Sequence, residues 1–122
     1  MRLGWTGTEL RRQLVAAVLR GEKTATASLR KEYAPATDEP LPRVGERALL
    51  LDFGDEPVGV VETTEVRVVR AGDVDLDFAR DEGEGFASVA DWRSAHEEFW
   101  AGETVDDDTL VVAERFRLVE RI

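Results

Sequence analysis

Cysteine is absent from the 122 residues, which removes a disulfide framework, a thiolate nucleophile and any cysteine metal site. Histidine occurs once, as His96, so a zinc centre of the usual nitrogen and sulfur donors lacks ligands. Carboxylates leave an oxygen-ligated magnesium or calcium open in principle, but no metal or other cofactor is assigned. Positive charge is scarce: 16 Lys and Arg stand against 26 Asp and Glu, a net charge of -10. A long nucleic acid is normally gripped by a basic stripe that releases phosphate counterions. Duplex DNA is therefore not expected as a partner, and a nucleic-acid ligand should be small or met by a local basic patch. Long apolar runs are missing too. Nothing approaches the roughly 20 residues that span a bilayer, and "MRLGWTGTEL" lacks the basic-then-apolar order of a signal peptide. The expectation is a cytoplasmic protein with no membrane partner.

What is present fits one globular domain over residues 1–122, with 43% hydrophobic and 34% charged residues. "TGTE" (6–9) reads as a capping box, and Leu10, Leu14 and Val18 recur at helical spacing up to Gly21. The spacing predicts a helix over about 8–20. In 24–30, Ala25, Ala27 and Leu29 alternate with Thr24, Thr26 and Ser28, which suits a short strand with one polar face. Three prolines between Pro35 and Pro42 mark a loop near the site. "RALLLDF" (47–53) and "PVGVVETTEVRVVR" (57–70) are strands joined by a turn. Residues 71–88 read as an acidic connector. Ser88 caps a second helix carrying Val89, Trp92, His96 and Phe99 on one face, and the last strand covers 110–119. With few crossover helices available, the fold class is α+β: a mostly antiparallel β-barrel with two or more packed helices.

"GEKTATASL" (21–29) places one amine beside three hydroxyls. A phosphate loop needs a glycine-rich turn from strand to helix with glycine directly before the lysine. Here the order is helix then strand, and Glu22 intervenes, so that reading fails. A lysine base activating a threonine remains possible only if the chain bends, because in extended chain Lys23 and Thr26 lie about 10 Å apart on opposite faces. The plainer alternative is a solvated lysine at a helix C-terminus. Spacing alone leaves both standing.

Even positions of 57–70 put Glu62 with four valines, and Glu114 repeats the pattern in the last strand. If the strands are unbroken, both carboxylates point inward and need a hydrogen-bond or cationic partner, such as Arg115 or Arg117. Asp81, Glu82 and Glu84 surround two glycines but lack the register of a calcium loop. His96 reads as a hydrogen-bonded core residue, with Trp92 and Phe99 in the core. Trp5, Tyr33 and Trp100 flank loops and are the better candidates for stacking a base.

Taken in order, "GEKTATASL", "LPRVGERALLLDF", "VGVVETTEV", "FARDEGEGFASVADWRSAHEEFW" and "LVVAERFRLV" resemble the ASCH family, which is placed with the PUA-like β-barrels. The resemblance spans about residues 8–119. It implies an RNA-related role, since members are proposed RNA-binding modules and some are reported as ribonucleases. Small bacterial members resemble amidohydrolases that deacylate a cytidine acylated on its exocyclic amine. Their lysine and threonine of "G-x-K-T-x-T" and glutamate of an acidic "E-x-E" stretch match Lys23, Thr26 and Glu84. By that resemblance Thr26 would be nucleophile, Lys23 base and Glu84 support. Thr24, Arg30, Glu62, Trp5, Tyr33 and Glu114 are the expected substrate-binding residues. Three functions stay in view: acylcytidine hydrolase, single-stranded RNA ribonuclease using Lys23, Arg30 and Arg43, and non-catalytic RNA or nucleotide reader. The expected partner is a modified nucleoside or short single-stranded RNA, bound by a monomer or homodimer.

Overall fold

Among the described residues, the architecture follows from four strands that pair antiparallel and three α-helices that cover the sheet they form. The computed structural model describes every residue except Arg2 and Trp5. Helix α1 spans Glu9–Leu19 and leads into β1, Ala25–Leu29. After a short 3-10 turn and the proline-bearing loop come β2, Arg47–Leu51, and β3, Pro57–Arg70. Helices α2, Leu76–Asp81, and α3, Val89–Phe99, precede β4, Leu110–Arg121. The sheet order is β1-β4-β3-β2, curled into a half-barrel, as the sequence pattern led one to expect.

Helix α1 is capped by Thr8, whose side chain accepts from the Arg11 amide, and not by Thr6. Thr6 instead donates to the Asp55 carboxylate, since the turn before β3 reaches back to the N-terminal segment. The buried Arg11 guanidinium completes this tie, donating to the carbonyls of Leu3 and Gly4. Helix α2 lies inside the stretch expected to be a connector, with Asp75 capping it at the Phe78 amide. Ser88 caps α3 as expected, accepting from the Asp91 amide.

Two apolar clusters hold the sheet. One joins Ala25, Leu29, Val111 and Ala113 to Phe78, Trp92 and Trp100, so it binds α2 and α3 to β1 and β4. The other joins Leu14, Val15 and Val18 of α1 to Leu50, Val61 and Phe116. Burying these side chains contributes about 1.5–3 kcal/mol each before the entropy of ordering is subtracted. At the end of α3 the expected roles of two aromatics are exchanged: Phe99 is 49% exposed and Trp100 only 7%. Trp100 sits past the last helical turn with ψ of 39°, so helical periodicity no longer decides which way it faces.

Strand β3 corrects a second expectation. Its pairing shifts between Val60 and Val61 and between Thr63 and Glu65, and the buried positions are Gly59, Val61 and Thr63. Glu62 therefore faces outward. It stands between Arg47 on β2 and Arg117 on β4, its direct neighbours in register, and is bonded to both at 2.9–3.1 Å. The side-chain hydrogen bond of Arg117 and then that of Arg47 hold its pKa below the usual carboxylate value. The pairing with Arg117 is the structural role weighed for it, and it removes Glu62 from the substrate-facing set.

Candidate functional site

Lys23 becomes an interior residue because the chain bends where α1 ends. Gly21 takes a left-handed φ of 79°, and the amides of Glu22 and Lys23 both donate to the Ala17 carbonyl. The bend is clamped from the far side of the sequence: the Thr24 amide donates to the Asp81 carbonyl at 2.7 Å. Gly83 packs against the same segment so closely that an added Cβ would sit 2.6 Å from the Glu22 carbonyl oxygen. Only glycine fits there, and its φ of 71° requires glycine as well.

The Lys23 side chain is 2% exposed. Its Nζ donates to the carbonyls of Ala25 at 2.8 Å and Glu82 at 3.1 Å. The Glu82 and Glu84 carboxylates stand 3.9 and 3.7 Å away. Burial pulls its pKa below the ordinary lysine value, against the opposing pull of the two carboxylates. Glu84 is half-open to solvent, and burial pushes its carboxyl up despite Lys23 nearby.

Glu82, which the sequence offered only as one of an acidic cluster with Asp81 and Glu84, is the deeper carboxylate, 1% exposed. It accepts from the Trp92 indole and faces the His96 Nε2 at 3.4 Å. His96 stacks on Trp92 with ring centroids 4.2 Å apart, and its Nδ1 meets the Trp92 carbonyl at 2.8 Å. Burial pulls the His96 pKa down, but the Glu82 carboxylate and the Trp92 carbonyl carry it above the ordinary imidazole value. The readable signal for Glu82 is its place immediately before Gly83, the residue that docks on the lysine segment.

These groups open onto one cavity of about 980 Å³. Thr26 and Glu114, directly paired across β1 and β4, both line it, as do Ser28, Tyr33 and Thr63. Among the described residues nothing hydrogen-bonds the Thr26 hydroxyl. The Ser28 and Tyr33 hydroxyls bond each other at 2.7 Å, and burial raises the Tyr33 phenol pKa. Glu114 points inward as expected, 9% exposed, with Thr63 rather than an arginine as its partner at 2.7 Å. Burial pushes its carboxyl up, and Glu46 nearby adds to the effect while the Thr63 bond opposes it.

The cavity is acidic. Glu32, Glu39, Glu46, Glu82, Glu84, Glu98 and Glu114 line it, with Lys23 as the lining lysine and no arginine among the described residues. Arg30, expected to contact substrate, lines a smaller pocket and donates to the Ala34 carbonyl at 2.8 Å. Thr24 does not line the cavity, because its backbone is held between Asp81 and the Phe116 amide. Trp100 lines the cavity from within the core, stacked edge-on against Trp92 and His96. Trp5 lies outside the described residues. The acidic loop does not converge on a point: Asp81 pairs with Arg115, while Glu82 and Glu84 turn to Lys23.

Among the described residues no helix is long and apolar enough to cross a membrane. The sequence model of the ASCH domain matches residues 3–120. An ASCH domain structure from Lactobacillus crispatus is similar at 33% identity, with a TM-score of 0.79 over 88% of this chain and 71% of the other. A protein from Enterococcus faecalis is similar at 27% identity, TM-score 0.83, over 95% and 72%. A mutant ASCH protein from Zymomonas mobilis, 15% identical with a TM-score of 0.53 over 90% and 68%, shares the fold. No curated protein matches the chain.

Proposed function

The chain belongs to the ASCH domain family with its PUA-like α+β fold, and from that premise we propose that it hydrolyses the acyl group from a cytidine acylated on its exocyclic amine. One observation carries the reading: a desolvated lysine amine, Lys23, shares a cavity with the unbonded hydroxyl of Thr26. In its deprotonated form Lys23 would keep its two N–H groups on the Ala25 and Glu82 carbonyls, which leaves the lone pair to accept a proton.

In the proposed reaction Thr26 Oγ attacks the acyl carbonyl carbon and its proton passes to Lys23. The C–N bond breaks as Glu84, whose carboxyl is pushed up by burial, gives a proton to the departing amine. Water then attacks the threonyl ester, a proton returning to Glu84, and Lys23 reprotonates Thr26 as the carboxylic acid leaves. Each group ends in its starting state.

Charge supports a nucleoside over a polynucleotide. Seven glutamates around the cavity disfavour a phosphodiester but not an uncharged nucleoside. The ribonuclease reading needs Lys23 and Arg30 at a phosphate, yet Lys23 faces two carboxylates and Arg30 is engaged at the Ala34 carbonyl. A chromatographic assay of acylated cytidines and a short single-stranded RNA decides between these. Release of cytidine supports the proposal. RNA fragments would move the chemistry to phosphodiesters, and binding without products would leave a reader domain.

A further inference from the structure

Glu114 is the buried carboxyl whose situation the proposed reaction does not use. The other buried or half-buried acids are spoken for: Glu62 lies between two arginines, and Glu82 accepts from Trp92 and faces Lys23 and His96. Among the described residues no lysine or arginine forms an ion pair with Glu114, and the N-terminal amine acts on it only as the weakest of its electrostatic neighbours. Its Oε2 accepts from the Thr63 hydroxyl, and Oε1 has no hydrogen-bond partner among the described residues while the side chain lines the cavity. An unpaired carboxyl in such a place is costly unless it keeps its proton or meets a ligand.

Its position relative to the proposed chemistry is fixed by register. Thr26 and Glu114 are paired residues on adjacent antiparallel strands, and directly opposed side chains start about 4.5–5.5 Å apart at Cβ. A substrate whose acyl carbon sits at the Thr26 hydroxyl therefore presents its neighbouring atoms to Glu114. Building on the hydrolase reading, we propose that the Glu114 carboxyl recognises the ring nitrogen adjacent to the acylated amine, so that the site selects N-acylated amino-heterocycles carrying that acceptor.

The chemistry of the two oxygens is complementary to such an edge. Because Oε2 accepts from Thr63, a retained proton belongs on Oε1, where it donates into the cavity. An sp2 ring nitrogen is an acceptor only, and an ionised carboxylate would repel its lone pair. Burial and the neighbouring Glu46 both favour the protonated form. In its protonated form Glu114 is then a donor, in an otherwise acidic cavity, for a ligand that offers an acceptor.

Equilibrium binding of cytidine and of 3-deazacytidine, in which a C–H replaces that ring nitrogen, tests the inference by calorimetry without requiring turnover. The wild type is expected to bind cytidine about tenfold or more tightly, the scale of one hydrogen bond left unmade in a buried site. Glu114→Gln keeps a donor and an acceptor and should retain the preference; Glu114→Leu should bring the ratio to about one. If the leucine variant fails to fold, Glu114→Asp, which withdraws the carboxyl by one methylene, should lower the ratio severalfold. Equal wild-type affinities, a preference that survives both Leu and Asp, or no binding of either nucleoside would overturn the inference. Ring-nitrogen selectivity without deacylation of any acylcytidine retires the hydrolase reading alone, and deacylation without selectivity retires this inference alone.

Discussion

Lys23 Nζ donates at 3.1 Å to the backbone carbonyl of Glu82, 59 residues further along the chain. The contact means that the lysine is held by the shape of the loop after α2 as well as by that loop's carboxylates. A site built this way depends on the close approach of two backbone segments.

The approach rests on Gly83. In Gly83→Ala the new Cβ would lie 2.6–2.7 Å from the Glu22–Lys23 backbone, at a left-handed φ of 71°. Strain of about 1–3 kcal/mol is expected for a non-glycine residue in that region, with the overlap adding to it. Urea denaturation should give a loss of at least about 2 kcal/mol, and an unchanged midpoint would show that the loop is not pinned as described.

Glu82 should matter more for stability than its exposed neighbours. Glu82→Ala strands the Trp92 indole and leaves Lys23 with one fewer counter-charge. Removing one partner of a buried ionic network costs about 3–5 kcal/mol. Glu82→Gln, which still offers an oxygen to the indole, should lose clearly less in the same denaturation experiment.

A pH effect follows from Glu114. Its folded pKa is raised above the ordinary 4.5, so the folded chain keeps a proton that the unfolded chain has already lost. Its contribution to stability is present below 4.5 and is lost as pH rises through the folded value. The groups facing it are Thr63, Glu46, Tyr33 and the N-terminal amine. Glu114→Gln removes the titration, so it should match the wild type in thermal stability near about pH 4 and exceed it near about pH 8. A difference independent of pH would contradict the assignment.

The acidic cavity predicts how RNA behaves. A single-stranded oligonucleotide should neither compete with cytidine nor show the steep salt dependence of a phosphate-gripping site. Fluorescence anisotropy across a salt series measures both. Tight binding that weakens steeply with salt would point instead to a basic surface outside the cavity.

Much of this arrangement was readable in the residues. The polar parity of Thr26 and Ser28 gave the cavity face of β1, and the inward register of Glu114 held through β4. Reading failed where local periodicity was interrupted. Glu62 was misassigned because the inner face of β3 carries the odd-numbered Gly59, Val61 and Thr63, while the even-numbered valines that suggested the opposite face are only partly buried or exposed. Trp100 lies beyond the last helical turn, and α2 is too short and acidic for its apolar face to stand out. The role of Glu82 arises from a contact between segments 59 positions apart, for which its place before Gly83 is the one local sign.

The most direct test of the hydrolase reading is turnover of an acylated cytidine by Thr26→Val. This change removes an unbonded hydroxyl and keeps the shape, so the melting temperature should hold while turnover falls by about 10³ or more, as expected when a nucleophile is lost. Wild-type turnover that Thr26→Val leaves intact would contradict the account, as would a wild type that releases no cytidine from any acylated substrate.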